Sequence, residues 1–311
     1  MNATKIEYLD YTWNPLAMRC TPVSEGCNHC WHLSMANRMA ANPTIKQPAR
    51  NAYAGNQIVL TNRLNDPLKK KKPLIIGVQF MGDLFHEKVP IEFHLSVWDR
   101  IARSPMHIFM ILTKRPQRMA EVVSEIGVFN YGVLPNLWLG VTAENQARYD
   151  ERARILVQIP AAKRFVSYQP ALGPLNIRFE RYEVTGTILP IPVFHGMSKS
   201  SNLIHLLICG GETGPGARPM HPDWARSVRD QCVEAGVPFF FKGWGEWAPR
   251  DDGNCLHMGK WCRTSKGQKF YYNLHYPGLR GTYMQRIGKK TAGRLLDGRT
   301  WEEFPEVVDA R

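Results

Sequence analysis

Six stretches of this chain repeat one pattern, a short, mainly apolar run that ends in polar residues. Residues 74–80 run into Met81-Gly82-Asp83, 107–112 into Thr113-Lys114-Arg115-Pro116, and 137–141 into Thr142-Ala143-Glu144-Asn145. Residues 164–167 run into Tyr168-Gln169-Pro170, 203–208 into Cys209-Gly210-Gly211-Glu212, and 237–241 into Lys242-Gly243-Trp244. Continuous runs of this length suit strands covered on both faces, as in parallel sheets, whereas half-exposed antiparallel strands alternate.

Helix-length amphipathic segments separate several of the runs. Residues 90–102 carry Phe93, Val97, Trp98 and Ile101, and residues 144–157 carry Tyr149, Ala153, Ile155 and Leu156. Residues 223–235 carry Trp224, Val228, Cys232 and Val233 and close on Gly236, a natural stop beyond a helix end. Strand then helix, repeated, predicts parallel pairing through right-handed crossovers. Short runs at 57–60 and near 12–14 bring the strands to eight, the number in a (β/α)8 TIM-type barrel, closed or partly open. Such a barrel takes residues 1–248 and leaves 249–311 as a basic, aromatic-rich C-terminal extension packed on it.

A barrel of this kind gathers the residues that follow its strands on one rim, where it places its chemistry. Asn14, Asn62, Asp83, Thr113, Lys114, Arg115, Glu144, Gln169, Glu212 and Lys242 would share that rim. Taken singly, each is explained as a polar loop residue capping a helix; as a set they point to a site. Asp83, Lys114, Glu144, Glu212 and Lys242 are its candidate catalytic groups, and Asn14, Thr113, Arg115, Gln169 and Glu212 its candidate cofactor contacts. Lys114-Arg115 at a strand end suits an anion clamp, for a carboxylate or a phosphate.

Cys20, Cys27 and Cys30 form a C-x6-C-x2-C spacing in the loop that follows the first strand. Three thiolates are what an iron–sulfur cluster needs if one iron is to stay open for a ligand. Zinc could use the same three with His29 or His32 as fourth ligand. Three unrelated buried thiols are the bland alternative. Cys232, Cys255, His257 and Cys262 could make a second metal site, although their spacing fits no strict pattern.

Composition narrows the partners. With 44% hydrophobic and 22% charged residues the 311-residue chain is globular, not disordered. It shows no apolar leader and no run long enough to span a membrane, and seven cysteines without a leader argue for reduced thiols, so the cytoplasm is the expected compartment. The net charge is +13, and residues 260–299 hold ten Lys and Arg against Asp297 alone. Trp261, Phe270, Tyr271, Tyr272, Tyr276 and Tyr283 are interleaved with them. Cations for phosphates and rings for bases make a nucleic-acid surface, with Lys260, Arg263, Lys269, Tyr271, Tyr272, Arg280 and Arg286 as candidate contacts. A solvated extension whose rings pack on the barrel has the same composition. Low periodicity predicts loops here.

Several longer motifs occur in order: Trp13-Asn14-Pro15, the three cysteines, Gly82-Asp83-Leu84-Phe85-His86, Leu112-Thr113-Lys114-Arg115-Pro116 and Trp138-Leu139-Gly140-Val141. Residues 210–219, 238–245 and 288–299 continue the series. With these motifs, over most of its length, the chain resembles the phage Gp37/Gp68 family, also called DUF5131 or the three-Cys-motif family, which is regarded as radical-S-adenosylmethionine-like. The resemblance implies a [4Fe-4S] cluster on Cys20, Cys27 and Cys30 and S-adenosylmethionine chelated by its open iron. It further implies a 5′-deoxyadenosyl radical and an electron donor such as flavodoxin or ferredoxin. Joined to the basic segment, it leads to an expected modification or rearrangement of a nucleic-acid base or its substituent, in phage DNA, with thymidine hypermodification among the options. A non-catalytic zinc-stabilised nucleic-acid-binding protein and a radical repair lyase for damaged bases are the alternatives. The chain departs from pattern in three places. The usual radical motif is C-x3-C-x2-C, Gln169 stands where the family commonly has Glu, and Gly210-Gly211-Glu212 follows the seventh strand where the similar radical-enzyme motif follows the second.

Overall fold

The computed structural model describes residues 1–128, 131–177, 203–250, 271–274 and 281–306. In chain order the elements are β1 (Asn2–Ala3), β2 (Tyr11–Trp13), β3 (Leu16–Ala17), α1 (Trp31–Ala41), α2 (Ala49–Ala54), β4 (Val59–Leu60), β5 (Ile75–Val78) and α3 (Ile91–Ala102). Then come β6 (Ile108–Thr113), α4 (Pro116–Val128), β7 (Leu137–Thr142), α5 (Gln146–Leu156), β8 (Lys163–Tyr168), β9 (Leu206–Gly210) and α6 (Pro222–Ala235). The chain continues through β10 (Phe239–Gly243), β11 (Trp247–Arg250), β12 (Tyr271–Leu274), β13 (Thr282–Arg286) and α7 (Lys289–Ala292).

The main sheet has eight strands in the order β1-β2-β5-β6-β7-β8-β9-β10. Every neighbouring pair from β2 to β10 is parallel, as the apolar runs predict, and β1 lies antiparallel on β2. The run at 57–60 is not a barrel strand: β4 pairs antiparallel with β3 in a separate two-stranded ribbon, and β1 supplies the eighth strand instead. The sheet curls into a half-barrel, and Tyr8, just before β2, meets Phe240 of β10 edge-on at 5.7 Å across the curl.

Among the described residues the two edge strands do not pair, so no closed barrel is formed. The C-terminal segment takes the free edge of β10 instead: Phe241 N donates to Trp301 O over 2.9 Å and Glu303 N to Phe239 O over 3.2 Å. Phe304 stacks on Trp138 and meets Phe240 edge-on, filling the inner face. The period of two sorts each strand between two cores. Met110, Trp138, Phe165, Leu206, Ile208 and Phe240 fill the inside of the curl, while Phe109, Ile111, Leu139, Val166, Leu207 and Phe241 pack outward with the helices.

Local chemistry sets the helix ends. Asn145 Oδ1 accepts from Arg148 N over 3.1 Å at the start of α5, and Gly236 ends α6 in the left-handed region at φ +65°. In the C-terminal part, where loops are predicted, β11, β13 and β12 form a three-stranded antiparallel sheet. The expected boundary at 248/249 falls inside β11.

Candidate functional site

Continuing the inner-face register past the strand ends puts polar side chains where the apolar core stops. Lys114 follows Leu112, Thr142 follows Trp138 and Gly140, Ser167 and Gln169 follow Phe165, Glu212 follows Ile208 and Gly210, and Lys242 follows Phe240. With Asp83, Thr113, Arg115 and Thr213 they line a cavity of about 230 Å³ at the C-terminal mouth of the curl. Cys20, Cys27, Cys30, His29, Trp31 and His32 form its other wall. Asn14 and Glu144, expected on the rim, do not line it. Asn14 Oδ1 accepts from Met81 N over 2.9 Å, and exposed Asn62 follows the β4 ribbon.

Most of the rim charges are already committed to the protein. Asp83 accepts from Thr113 Oγ1 over 2.8 Å, from Phe85 N over 3.0 Å and from Arg115 Nη1 over 3.0 Å. Arg115 is buried and spends its remaining donors on the cysteine loop and on Glu87. Nη2 donates to Thr21 O over 3.0 Å and Thr21 Oγ1 over 2.8 Å, Nη1 reaches Cys20 Sγ at 3.6 Å, and Nε donates to Glu87 over 2.7 Å. Its role in this structure is to tie the first cysteine to the mouth, and no donor is left over for a free anion clamp.

Glu144 is buried beneath the same loop, where it pairs with Arg152 at 2.8 Å and accepts from Ser24. A Cβ on Gly26 would stand 2.3 Å from Glu144 Oε1, so only glycine lets the loop approach this closely. Glu212 takes the Arg218 fork at 2.6 and 2.8 Å, and Arg218 Nη2 also donates to Glu25 O over 3.0 Å, joining the β9 loop to the cysteine loop. The Gly-Gly-Glu sequence here has a packing reason: a Cβ on Gly211 would lie 2.0 Å from Trp244 O.

Two rim cations remain uncommitted to carboxylates. Half-buried Lys114 has no ion pair among the described residues. Lys242 Nζ donates to Gln169 Oε1 over 2.8 Å and sits 5.7 Å from the Tyr8 ring. Burial pushes its pKa down to about 8; nearby Glu7 opposes that shift and Lys289 adds to it. Glu7 itself pairs with Lys289 at 2.8 Å.

All three cysteine thiols are free. Burial, reinforced by Asp83 and opposed by Arg115, pushes Cys20 up to about 11. Cys27 closes a 3-10 turn over Glu25–Cys27, and Cys30 is the N-cap of α1, whose unpaired backbone N–H groups suit an anionic group. Trp31 is 51% exposed and stands edge-on to His32 at 6.2 Å. His32 is buried, and its pKa is pushed down to about 4 by burial and by Arg19.

Among the described residues no three His, Cys, Asp or Glu side chains converge on one point as a single metal ion requires. Zinc bonded to each sulfur at about 2.3 Å needs that convergence, whereas a cubane spreads its thiolates over three separate irons. The three thiols line one cavity, Cys30 at a helix N-cap and Cys20 beside the Arg115 guanidinium.

Of the expected nucleic-acid contacts, Lys260, Arg263, Lys269 and Arg280 lie outside the described residues, as do Cys255, His257 and Cys262. Tyr271 and Tyr272 stand in β12 opposite Gln285 and Met284 of β13. Arg286 Nη2 donates to Gly214 O over 3.0 Å, attaching this sheet to the β9 loop. Cys232 is buried in the outer core, apart from the mouth. Trp31, Thr142, Ser167 and Thr213 were not singled out from the sequence; for Thr142 and Ser167 the two-residue register was the available signal. No described helix is long and apolar enough to cross a membrane.

One family model, described as a protein of unknown function (DUF5131), matches residues 3–305 of the chain. No curated protein and no solved structure matches it.

Proposed function

The chain belongs to the DUF5131 family, and we propose that it is a radical S-adenosylmethionine enzyme acting on a base, or a base substituent, of a nucleic acid. The observation that carries this reading is the gathering of Cys20, Cys27 and Cys30 on one wall of the cavity at the strand C-termini. Cys20, Cys27 and Cys30 would hold a [4Fe-4S] cluster. When bound, cluster and S-adenosylmethionine together supply an electron and a 5′-deoxyadenosyl radical able to abstract hydrogen from an unreactive carbon.

The chain's own residues position and select. Arg115 fixes the Cys20–Thr21 backbone, and the Glu144–Arg152 and Glu212–Arg218 pairs fix the rest of the cysteine loop from below and from the side. Lys114 and Lys242 offer ammonium groups to an anionic part of cofactor or substrate, and Lys242 can hold or release a proton close to neutrality. Trp31 offers an exposed ring on which a base can stack. A concave mouth at the strand ends suits an extruded or unpaired base in preference to a duplex. The composition of 260–299 supports a phosphate-rich partner, and phage DNA is the proposed source.

Anaerobic reconstitution with iron and sulfide tests the reading directly. The expected result is three to four irons per chain, roughly, with a broad visible absorption band and 5′-deoxyadenosine released under strong reductant, all lost when the three cysteines become alanine. One zinc with neither iron nor sulfide would replace this reading by the zinc-stabilised binding protein.

A further inference from the structure

Carboxylates and cations around the mouth are matched in pairs. Asp83 answers Arg115 at 3.0 Å, Glu144 answers Arg152 at 2.8 Å and Glu212 answers Arg218 at 2.6 Å. The same groups hold the cysteine loop: Arg115 donates to Thr21 O, Glu144 accepts from Ser24, and Arg218 donates to Glu25 O. Lys242 on β10 stands outside this network. Its side chain lines the cavity and its ammonium donates to Gln169 Oε1 over 2.8 Å, an amide with no charge to offset it. Glu7, which lies close enough to favour the ammonium, is itself paired with Lys289 at 2.8 Å. A missing side chain makes room for the contact. Gly210 takes the inner-face position of β9, the strand between β8 and β10, and a Cβ there would stand 3.3 Å from Lys242 Cβ and 3.5 Å from Gln169 Cδ. Among the described residues Gln169 takes one of the three ammonium donors, and two are left for a ligand. Burial makes the charge costly, pushing its pKa down to about 8, and an anion at the mouth would offset that cost.

We propose that Lys242, left unneutralised by its amide partner Gln169, seats a phosphate of the nucleotide whose base enters the mouth, so that Gln169 selects for an anionic substrate. This rests on the nucleic-acid reading above and deepens it. Arg115, Glu144 and Glu212, at the ends of β6, β7 and β9, spend their charge on the wall that carries the three cysteines, whereas Lys242 is free of that wall and open to the substrate. Lys114, on the same cavity and without an ion pair among the described residues, adds to the positive field. Trp31 offers its ring on that cavity too, so one ligand carrying both a base and a phosphate answers ring and ammonium together. A carboxylate at position 169 would pair with Lys242 at hydrogen-bond distance and close the seat; the amide orients the ammonium and leaves its charge for the ligand.

The test is a calorimetric titration of the full chain, which reads binding alone and so stands apart from the iron and sulfide experiment. The common 2′-deoxynucleosides, their 5′-monophosphates and the corresponding dinucleotides are compared in wild type, Gln169→Glu and Lys242→Met. Wild type is expected to bind a monophosphate or a dinucleotide about tenfold or more tighter than the matching nucleoside, the range of a hydrogen bond to a charged group. Preference for the monophosphate marks a free nucleotide as the ligand, and preference for the dinucleotide marks a phosphodiester within a strand. Gln169→Glu, which keeps the size of the side chain, is expected to erase most of the preference while nucleoside affinity is kept, a split that a merely structural role would not produce. Should Gln169→Glu weaken all ligands alike, Lys242→Met decides, a preference retained in it being the negative result. Equal wild-type affinities for nucleosides and their phosphorylated forms, or a preference that survives both substitutions, would overturn the proposal and leave the cluster reading intact. A wild-type chain that binds none of these ligands would overturn it together with the nucleic-acid substrate.

Discussion

Lys242 shows how a single side chain changes meaning once its surroundings are known. From the sequence it is one polar residue after an apolar run; in the fold it is an ammonium held at the mouth with a neutral amide as its hydrogen-bond partner. Its folded pKa of about 8 lies below the ordinary 10.5, mainly through burial. Below pH 8 the folded chain carries the cost of a buried charge. Between about 8 and 10.5 the unfolded chain binds more protons than the folded one, so this residue's contribution to stability improves as pH rises through that window. Denaturant midpoints measured from pH 7 to 10.5 are expected to rise in wild type relative to Lys242→Met, which lacks the titration; parallel curves would show that Lys242 is not held as charged and buried. Glu144 makes the opposite case. Its position after a strand suggested a catalytic carboxylate, and its burial against Arg152, 8 residues further on, makes it a support for the cysteine loop.

Elements of this fold are joined by side-chain forks more than by loop length. The cysteine loop between β3 and α1 is pinned at one end by Arg115, just past β6, whose guanidinium reaches back across 94 residues of sequence to Thr21 O and Oγ1 and also touches Cys20 Sγ. Arg115→Lys keeps the charge and loses the fork. Two or three hydrogen bonds at about 1 kcal/mol each should disappear, so amide exchange protection at Cys20 is expected to fall by about 30- to 160-fold. Unchanged protection would mean that Arg115 decorates the loop without holding it. Strand and helix identity was largely readable because it depends on short-range periodicity: 90–102, 144–157 and 223–235 are helices within two residues of the expected ends. α1 was not foreseen, since its sequence Trp31–Ala41 has a weak apolar stripe and buries only His32 and Ala36.

Across the molecule, the +13 charge is unevenly used. Arg115, Arg152 and Arg218 neutralise the buried carboxylates around the mouth, and Lys289 neutralises Glu7. Within the basic stretch at 260–299, Lys289, Arg294 and Arg299 pair with Glu7, Glu302 and Glu303, while Lys260, Arg263, Lys269 and Arg280, which the proposed function gives to a phosphate-bearing partner, lie outside the described residues. Binding of a single-stranded oligonucleotide is expected to weaken steeply with salt, about 10³-fold between 50 and 200 mM if six or more phosphates are contacted. A flat salt dependence in a fluorescence titration would argue against a phosphate-reading surface.

The alternation of buried parallel strands and helices, the polar ends that form the mouth and the close spacing of three thiols could all be read from the chain, because each depends on neighbours a few residues apart. Which short strand completes the sheet could not. β1, two residues long, carries no apolar pattern and owes its place to pairing with β2, while the more apolar 59–60 run pairs with β3. Nor could the fate of each rim charge be read, since partners such as Asp83 with Arg115, Ser24 with Glu144 and Arg218 with the Glu25 carbonyl lie 32, 120 and 193 residues apart. Long-range contacts of this kind exist only once the sheet has curled, and it is the curl that turns a row of polar strand ends into one cavity with most of its charges already answered.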